Sequence, residues 1–405
     1  MIRKILKSYD YTLIFTVFLL CVFGLVMVYS SSMITAAARF GTENDYFFKK
    51  QLITVCIGTI AFIMAAAIPY RVLLTDKLLK MIMLLSIGLL LLLFVYGHTA
   101  GNAQSWIKVA GFTMQPAEFV KLSIIIYLAA IYEKKQAYIN HFGQAVMPPL
   151  IFTTAICFLI IIQPDIGTAM IIALIMSAMV SASGMNWKSL MKIVLAGLAI
   201  LALFSPFILM NWDNFATPER VSRFAGYTDP FSNEDDAGFH LANSLYAIGS
   251  GGITGLGLGN SVQKYGYLPE SHTDFIMSIV AEELGILGVL FVLGLLGTLI
   301  FRGFYIARQC EDAFGTLLAV GISSMIAIQA GINLGGLTGL IPITGVTLPF
   351  ISYGGSSMLV LMTSAGLLVN VSMFVNYRKK YKSGAVKAPV KKASSGYKKP
   401  LSSKM

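Results

Sequence analysis

Long apolar runs separated by short polar intervals dominate the chain. They cover Tyr11 to Ser31, Gln51 to Ile68, Leu79 to Tyr96, Val146 to Ile162, Ile166 to Ser183, Leu190 to Met210, Phe275 to Phe301, Leu317 to Leu334 and Met358 to Val375. Runs of roughly 18 residues are long enough for a helix to cross a hydrocarbon core. A shorter stretch, Phe119 to Tyr132, is polar at its start but is needed as a further span if the loop charges are to alternate consistently. The pattern predicts an all-α polytopic membrane protein of about ten transmembrane helices, with a long extracytoplasmic loop between helices 7 and 8.

Lys and Arg in short loops set the orientation. They cluster at Arg3, Lys4 and Lys7, at Arg71 to Lys80, at Lys134 and Lys135, at Lys188 and Lys192, and at Arg302 and Arg308. Those loops and both termini are therefore expected in the cytoplasm. The opposite loops are Arg39 to Lys50, Gly101 to Gln115, the turn Gln163 to Asp165, Asn211 to Ser271 and Gly335 to Gly355. Arg39, Lys49 and Lys50 run against the rule, whereas the long loop is net acidic, with Asp229, Glu234, Asp235 and Asp236. The expected division is a transmembrane domain over 1–377, which includes the large loop 211–273, and a basic disordered tail over 378–405.

Composition agrees with a membrane protein: of 405 residues, 56% are apolar and 12% charged, and the mean hydropathy is +0.75, outside the range of ordinary soluble domains. The net charge of +11 does not call for nucleic acid, because the excess lies in Arg378 to Lys404, a stretch without acids. That tail reads as a topology signal with weak attraction to anionic headgroups, or as a dock for a cytoplasmic partner. Cys21, Cys56, Cys157 and Cys310 fall in predicted spans or a cytoplasmic loop, so no disulfide framework is expected outside. The first apolar run is long enough to stay as a helix, so no cleaved signal peptide is read. No internal repeat of the transporter kind is seen.

Ionised groups near lipid are expensive and therefore informative. Tyr267-Leu268-Pro269-Glu270-Ser271-His272-Thr273-Asp274-Phe275 returns the long polar loop to an apolar helix and places Asp274 near one helix end. There a carboxylate serves as a general base, or only caps the helix, since Ser271 to Asp274 matches the Ser/Thr-x-x-acid pattern. A helix N-terminus favours its ionised form in either role. Trp106, Lys108, Gln115, Glu118 and Lys121 crowd another helix entrance with donors; Glu118 and Lys121, three apart, are placed to pair. Asp165 lies in the tight turn Gln163-Pro164-Asp165-Ile166-Gly167-Thr168, as a helix cap or a ligand group. Arg220 and Arg223, three apart in the long loop, face one way if helical and suit phosphate oxygens, or face solvent. His240 and His272 are not at metal-ligand spacing. Gly249 to Gly259 follows no predicted strand, so a phosphate-loop reading fails; with Pro342 to Ser357 it reads as irregular backbone folding back into the protein, tolerated where it lines a cavity.

Five ordered motifs carry a resemblance to the SEDS family of cell-wall synthases. They are Ser105-Trp106-Ile107 with Gln115-Pro116-Ala117-Glu118 and Lys121, then Gln163 to Thr168, then Gly249-Ser250-Gly251-Gly252, then Leu268 to Phe275 with Glu282-Glu283-Leu284-Gly285, then Leu348 to Ser357. The resemblance covers the chain except its tail. It implies a peptidoglycan glycosyltransferase that polymerises lipid II outside the cytoplasmic membrane, uses a divalent cation (Mg or Mn) with ligands unassigned, and works with a class B penicillin-binding transpeptidase. It places the family's essential acid on Asp274, and the loop arginine on Arg220, ahead of Asp229-Pro230. Lys264, Glu270, His272, Ser352 and Tyr353 fall in the same motifs or beside them and complete the candidate substrate-binding set. Gln104 and Ser105 stand where the family often has arginine, and Ala117 where it has serine; this leaves Lys108 and Lys121 as the cations at that entrance. Lys7 to Tyr11 and the basic tail are most similar to the family's division member of Gram-positive bacteria, which would work at the septum with other divisome membrane proteins. The elongation member is the runner-up, and a lipid II flippase or a non-catalytic scaffold are the rival functions.

Overall fold

The computed structural model describes residues 2–100, 103–109, 112–210, 221, 226–231 and 237–381. A short turn of helix, α1 (Ile2–Leu6), precedes α2 (Tyr11–Phe40), α3 (Tyr46–Ala67) and α4 (Asp76–Tyr96). Then come α5 (Pro116–Lys134), α6 (Met147–Ile162), α7 (Ile166–Ala182), α8 (Trp187–Met210) and α9 (Ala237–Gly251). The chain closes with α10 (Ile276–Gln309), α11 (Ala313–Leu337) and α12 (Gly355–Tyr381). A helix lies over each predicted span. Among the described residues, seven helices are long and apolar enough to cross a membrane on those grounds alone, and α7 is apolar but shorter.

α11 and α12 form the centre. Of their most apolar stretches 78% and 83% are buried, against 28% in α4 and in α10, so the peripheral helices leave their apolar faces to the bilayer. Close approach in such a bundle relies on small residues. At Gly366 of α12 an added Cβ would stand 2.4 Å from the Phe62 carbonyl oxygen of α3.

Three parts of the sequence picture change. The segment expected as an outer loop holds a three-stranded antiparallel sheet, β1 (His98–Ala100), β2 (Ala103–Val109) and β3 (Phe112–Met114), in which Ile107 pairs with Met114 and Lys108 with Thr113. The long loop contains α9, which packs on α10; there the Ser244 hydroxyl meets that of Ser278 and the Leu337 carbonyl, both at 2.7 Å. The helical domain also runs past residue 377, because α12 continues through Arg378, Lys379 and Lys380. Basic groups in a last turn suit the helix dipole, and Arg378 reaches Glu311 at 3.3 Å.

At the end of the bundle that carries Arg378, Asp312 gathers three partners: the Tyr70 hydroxyl at 2.7 Å, Arg71 at 3.2 Å and the Gly315 amide at 3.0 Å. Lys134 pairs with Asp76 at the same end. The segments that carry the candidate chemistry meet at the other end.

Candidate active site

Asp274 sits two residues before α10, half-buried, in a series of turns closed by main-chain bonds from Ser271 N to Leu268 O (3.1 Å), and from Thr273 N and Phe275 N to Glu270 O (both 3.2 Å). The N-cap of α10 is Phe275, with no side-chain cap bond. Ser271 donates to the Ser31 carbonyl of α2, at 3.0 Å.

The main chain around Asp274 is held by donors from the last third of the protein. Three successive carbonyls each accept one bond. Tyr353 N–H donates to His272 O at 2.9 Å, Ser352 Oγ to Thr273 O at 2.6 Å, and Asn333 Nδ2 to Asp274 O at 2.7 Å. The donors are themselves fixed: Ser352 Oγ accepts from Leu348 N at 2.8 Å, and Gln51 of α3 brackets the segment by donating to Ser352 O at 3.2 Å and accepting from Gly354 N at 3.3 Å. Gly345, at φ +73°, leans over the carboxylate, and a Cβ there would lie 3.6 Å from Asp274 Oδ2. A left-handed residue at this approach is best met by glycine.

His272 is buried between Phe47 and Tyr353, with ring centroids 4.4 and 5.7 Å away. Burial pushes its imidazole down from 6.5 to about 4, with Glu270 opposing that shift and Arg39 adding to it. Arg39 and Glu270 face each other across 3.7 Å at the half-open rim.

A second node joins three motifs. The Gln115 main-chain N–H donates to Ser356 Oγ at 2.9 Å, and its side chain donates to Asp165 Oδ2 at 3.0 Å. Asp165 also caps α7, its Oδ1 accepting from Thr168 N at 3.1 Å. One turn into α5, Glu118 and Lys121 form a buried pair at 2.8 Å, so Lys121 is committed to its neighbour. Trp106 is half-buried on β2, while Lys108 on the same strand is exposed.

Lys264, read from sequence as a substrate contact, is instead 1% exposed and bonds Glu283 at 2.8 Å, the Gly259 carbonyl at 2.7 Å and Ser30 at 3.3 Å. Glu283 also accepts from Ser30 at 2.7 Å, and Glu282 accepts from Ser261 Oγ at 2.5 Å and Val262 N at 2.8 Å. Here α10 is broken at Gly285 (φ 64°, ψ −163°). The glycine-rich chain fills the break: Leu256 N and Gly257 N donate to the Glu282 and Glu283 carbonyls at 2.9 and 3.0 Å, and Ile286 N donates to Gly252 O at 3.0 Å. This is the folded-back backbone that the sequence predicts, with its polar groups satisfied.

Arg220 and Arg223 lie outside the described residues, as does the tail beyond Tyr381. The fold brings Asp274, Glu270, His272, Ser352 and Tyr353 together, and separately Gln115, Asp165 and the start of α5. Sequence reasoning missed Asn333 and Gln51, while Ser356 lay in the Leu348 to Ser357 motif without being singled out. Asn333 carried a signal, being an amide inside an apolar run, where polar groups are costly. Among the described residues no group of three or more His, Cys, Asp or Glu side chains is placed to hold a metal ion, so they form no protein cage for one. A hard cation bound mainly by substrate phosphates needs only one or two carboxylates.

Comparison with known proteins places this geometry. The family model FtsW/RodA/SpoVE, described as cell cycle protein, matches residues 11–377. The chain is 58% identical over 389 residues to a probable peptidoglycan glycosyltransferase FtsW of Bacillus subtilis (strain 168), with 96% of each chain covered. It is 39% identical to stage V sporulation protein E of the same organism, over 91% of this chain and 98% of that one. Among solved structures, a chain of a peptidoglycan synthase complex that coordinates polymerization and crosslinking aligns with a TM-score of 0.70 at 26% identity, covering 92% of this chain and 99% of that one. The rod shape determining protein RodA of Thermus thermophilus aligns at 0.64 and 26% identity, covering 92% and 98%. A family match over nearly the whole helical region and relatives of this identity lead to one assignment: the chain belongs to the FtsW/RodA/SpoVE family of integral membrane proteins.

Proposed function

We propose that the protein is an inverting peptidoglycan glycosyltransferase that polymerises lipid II into β-1,4-linked strands at the outer face of the cytoplasmic membrane, for the septal wall. The observation that carries this reading is the 58% identity, over 96% of both chains, to a probable peptidoglycan glycosyltransferase. The clamped carboxylate of Asp274 at one end of the bundle supports it chemically. Ten membrane crossings with both termini inside put that end outside, where the positive-inside rule also leaves the Asp274 turn.

The acceptor sugar 4-hydroxyl oxygen attacks the donor's anomeric carbon as its proton passes to Asp274. The anomeric C–O bond breaks with its electron pair going to the lipid pyrophosphate, and the α-linked donor becomes a β link. Exposed Lys108 on β2 and Arg220 in the long loop are the cations available to the leaving pyrophosphate; Lys121, paired with Glu118, shapes the entrance instead. A divalent cation, Mg or Mn, held mainly by the pyrophosphate oxygens themselves, would offset part of the leaving group's charge. The partner is a class B penicillin-binding transpeptidase, a pairing supported by the likeness to a chain of a synthase complex that couples polymerization to crosslinking.

The test is polymerisation of labelled lipid II by the purified chain with its transpeptidase, wild type against Asp274→Asn, with Mg present and folding and pairing verified. Glycan chains from wild type alone are expected. Equal chains from both would remove Asp274 as the base, and none from either would move the function to transport or scaffolding.

A further inference from the structure

Asn333 does more than fill a gap in α11. It is 4% exposed, and its amide nitrogen makes two bonds, to Asp274 O at 2.7 Å and to Val346 O at 2.8 Å. Both acceptors are carbonyls, so the amide has one workable orientation and a flip would set oxygen against oxygen. One rigid group on a central helix thus holds two loops at once. Val346 follows Gly345, which approaches the Asp274 carboxylate, and the same segment backs onto the start of α7, where a Cβ on Gly167 would lie 3.2 Å from Thr344 O. Gly167 stands two residues after Asp165, the centre of the Gln115 node. The amide oxygen of Asn333 is buried with no hydrogen-bond partner. A buried acceptor left unmet carries an uncompensated desolvation cost, so packing alone would favour leucine at this position.

We propose that Asn333 is a positioning residue for the transfer reaction, fixing Asp274 against the 344–346 segment and registering both with the Gln115–Asp165 node. The proposal rests on the reading of Asp274 as the base. Asn333 touches neither sugar nor pyrophosphate; it acts by holding the base at its working distance, and a misplacement of about 1 Å costs roughly 100-fold in rate.

The experiment uses the full-length chain in nanodiscs with its transpeptidase, and compares Asn333→Leu, Asn333→Asp and Asp274→Asn. Lipid II polymerisation is read as kcat and KM per folded complex, and amide hydrogen exchange is read at 274–278 and 344–347. Both Asn333 variants are expected to lose kcat by about 10- to 100-fold with KM little changed, and exchange is expected to quicken in both segments together. A variant that keeps wild-type kcat, or whose exchange quickens only within α11, overturns the proposal and leaves Asn333 a packing residue. Should a variant fail to form the complex, exchange on the isolated chain decides by the same criterion. If Asp274→Asn polymerises at the wild-type rate, the base assignment fails instead, and the two failures are told apart.

Discussion

At the scale of single residues, the Asp274 turn combines a buried imidazole and an exposed ion pair, with a left-handed glycine leaning over its carboxylate. His272 carries the clearest prediction. Its folded value of about 4 lies below its ordinary 6.5, so the unfolded chain takes up the proton first and stability rises with pH across that interval. The full contribution is present above about 6.5 and is lost as pH falls toward 4. Thermal unfolding in detergent between pH 4 and 8 is expected to show this acid limb, and His272→Phe is expected to flatten it; an unchanged limb would locate the titration elsewhere. The Arg39–Glu270 contact, by contrast, is open to solvent on both sides and contributes about 0–1 kcal/mol. Local pattern makes the Glu118–Lys121 pair and the Asp165 cap legible in the sequence, because each depends on a neighbour three positions away, whereas Asp274 stands out through the family resemblance. The carbonyl clamp on residues 272–274 is not legible. Its acceptors are main-chain atoms that every residue has, and its donors come from 59 to 81 positions downstream.

At the scale of elements, the break in α10 determines what the glycine-rich segment can be. A Cβ on Gly285 would stand 2.4 Å from Ile253 O, and one on Gly251 1.9 Å from Ala281 O, so the two backbones meet with no room for side chains. Glycine content makes that fold-back readable. The ion pair that pins it is not, since Lys264 looks like any loop lysine until its partner in the next helix is known. With both charged groups at 0% side-chain exposure, removing one leaves the other uncompensated, which costs about 3–5 kcal/mol. Lys264→Met and Glu283→Leu are each expected to lower unfolding stability by that order, and the double variant to regain most of it. Additive losses in a double-mutant cycle would mean that the Ser30 and Gly259 bonds matter more than the pair. The small sheet escaped prediction because its strands are 3, 7 and 3 residues long, too short for an alternating pattern to stand out from a loop.

At the scale of the whole molecule, the apolar runs make the helical plan readable, while the order of packing is hidden. Hydropathy measures transfer from water to lipid and is blind to which helix ends in the middle. The central place of α11 and α12 shows instead in their small and hydroxyl residues, such as Ser323, Ser324, Ser364, Gly366 and Ser372, all buried or at close helix contacts. Because α3 carries Gln51 and α12 follows Ser352, the approach of these two helices also sets the site. Gly366→Val is expected to wedge α12 from Phe62 and to lower thermal stability and polymerisation together; a stable but inactive variant would show that only the site end has moved.

The clamp on the Asp274 turn also has a consequence for biosynthesis. Ser352 follows Thr273 by 79 residues, which at about 5–20 residues per second is roughly 4–16 s of translation. Asn333 is made 59 residues after Asp274, but until the interval ends the nascent chain carries its carboxylate without the Ser352 and Tyr353 donors. The clamp on residues 272–274 is therefore completed only once the segment leading into the last helix has been made.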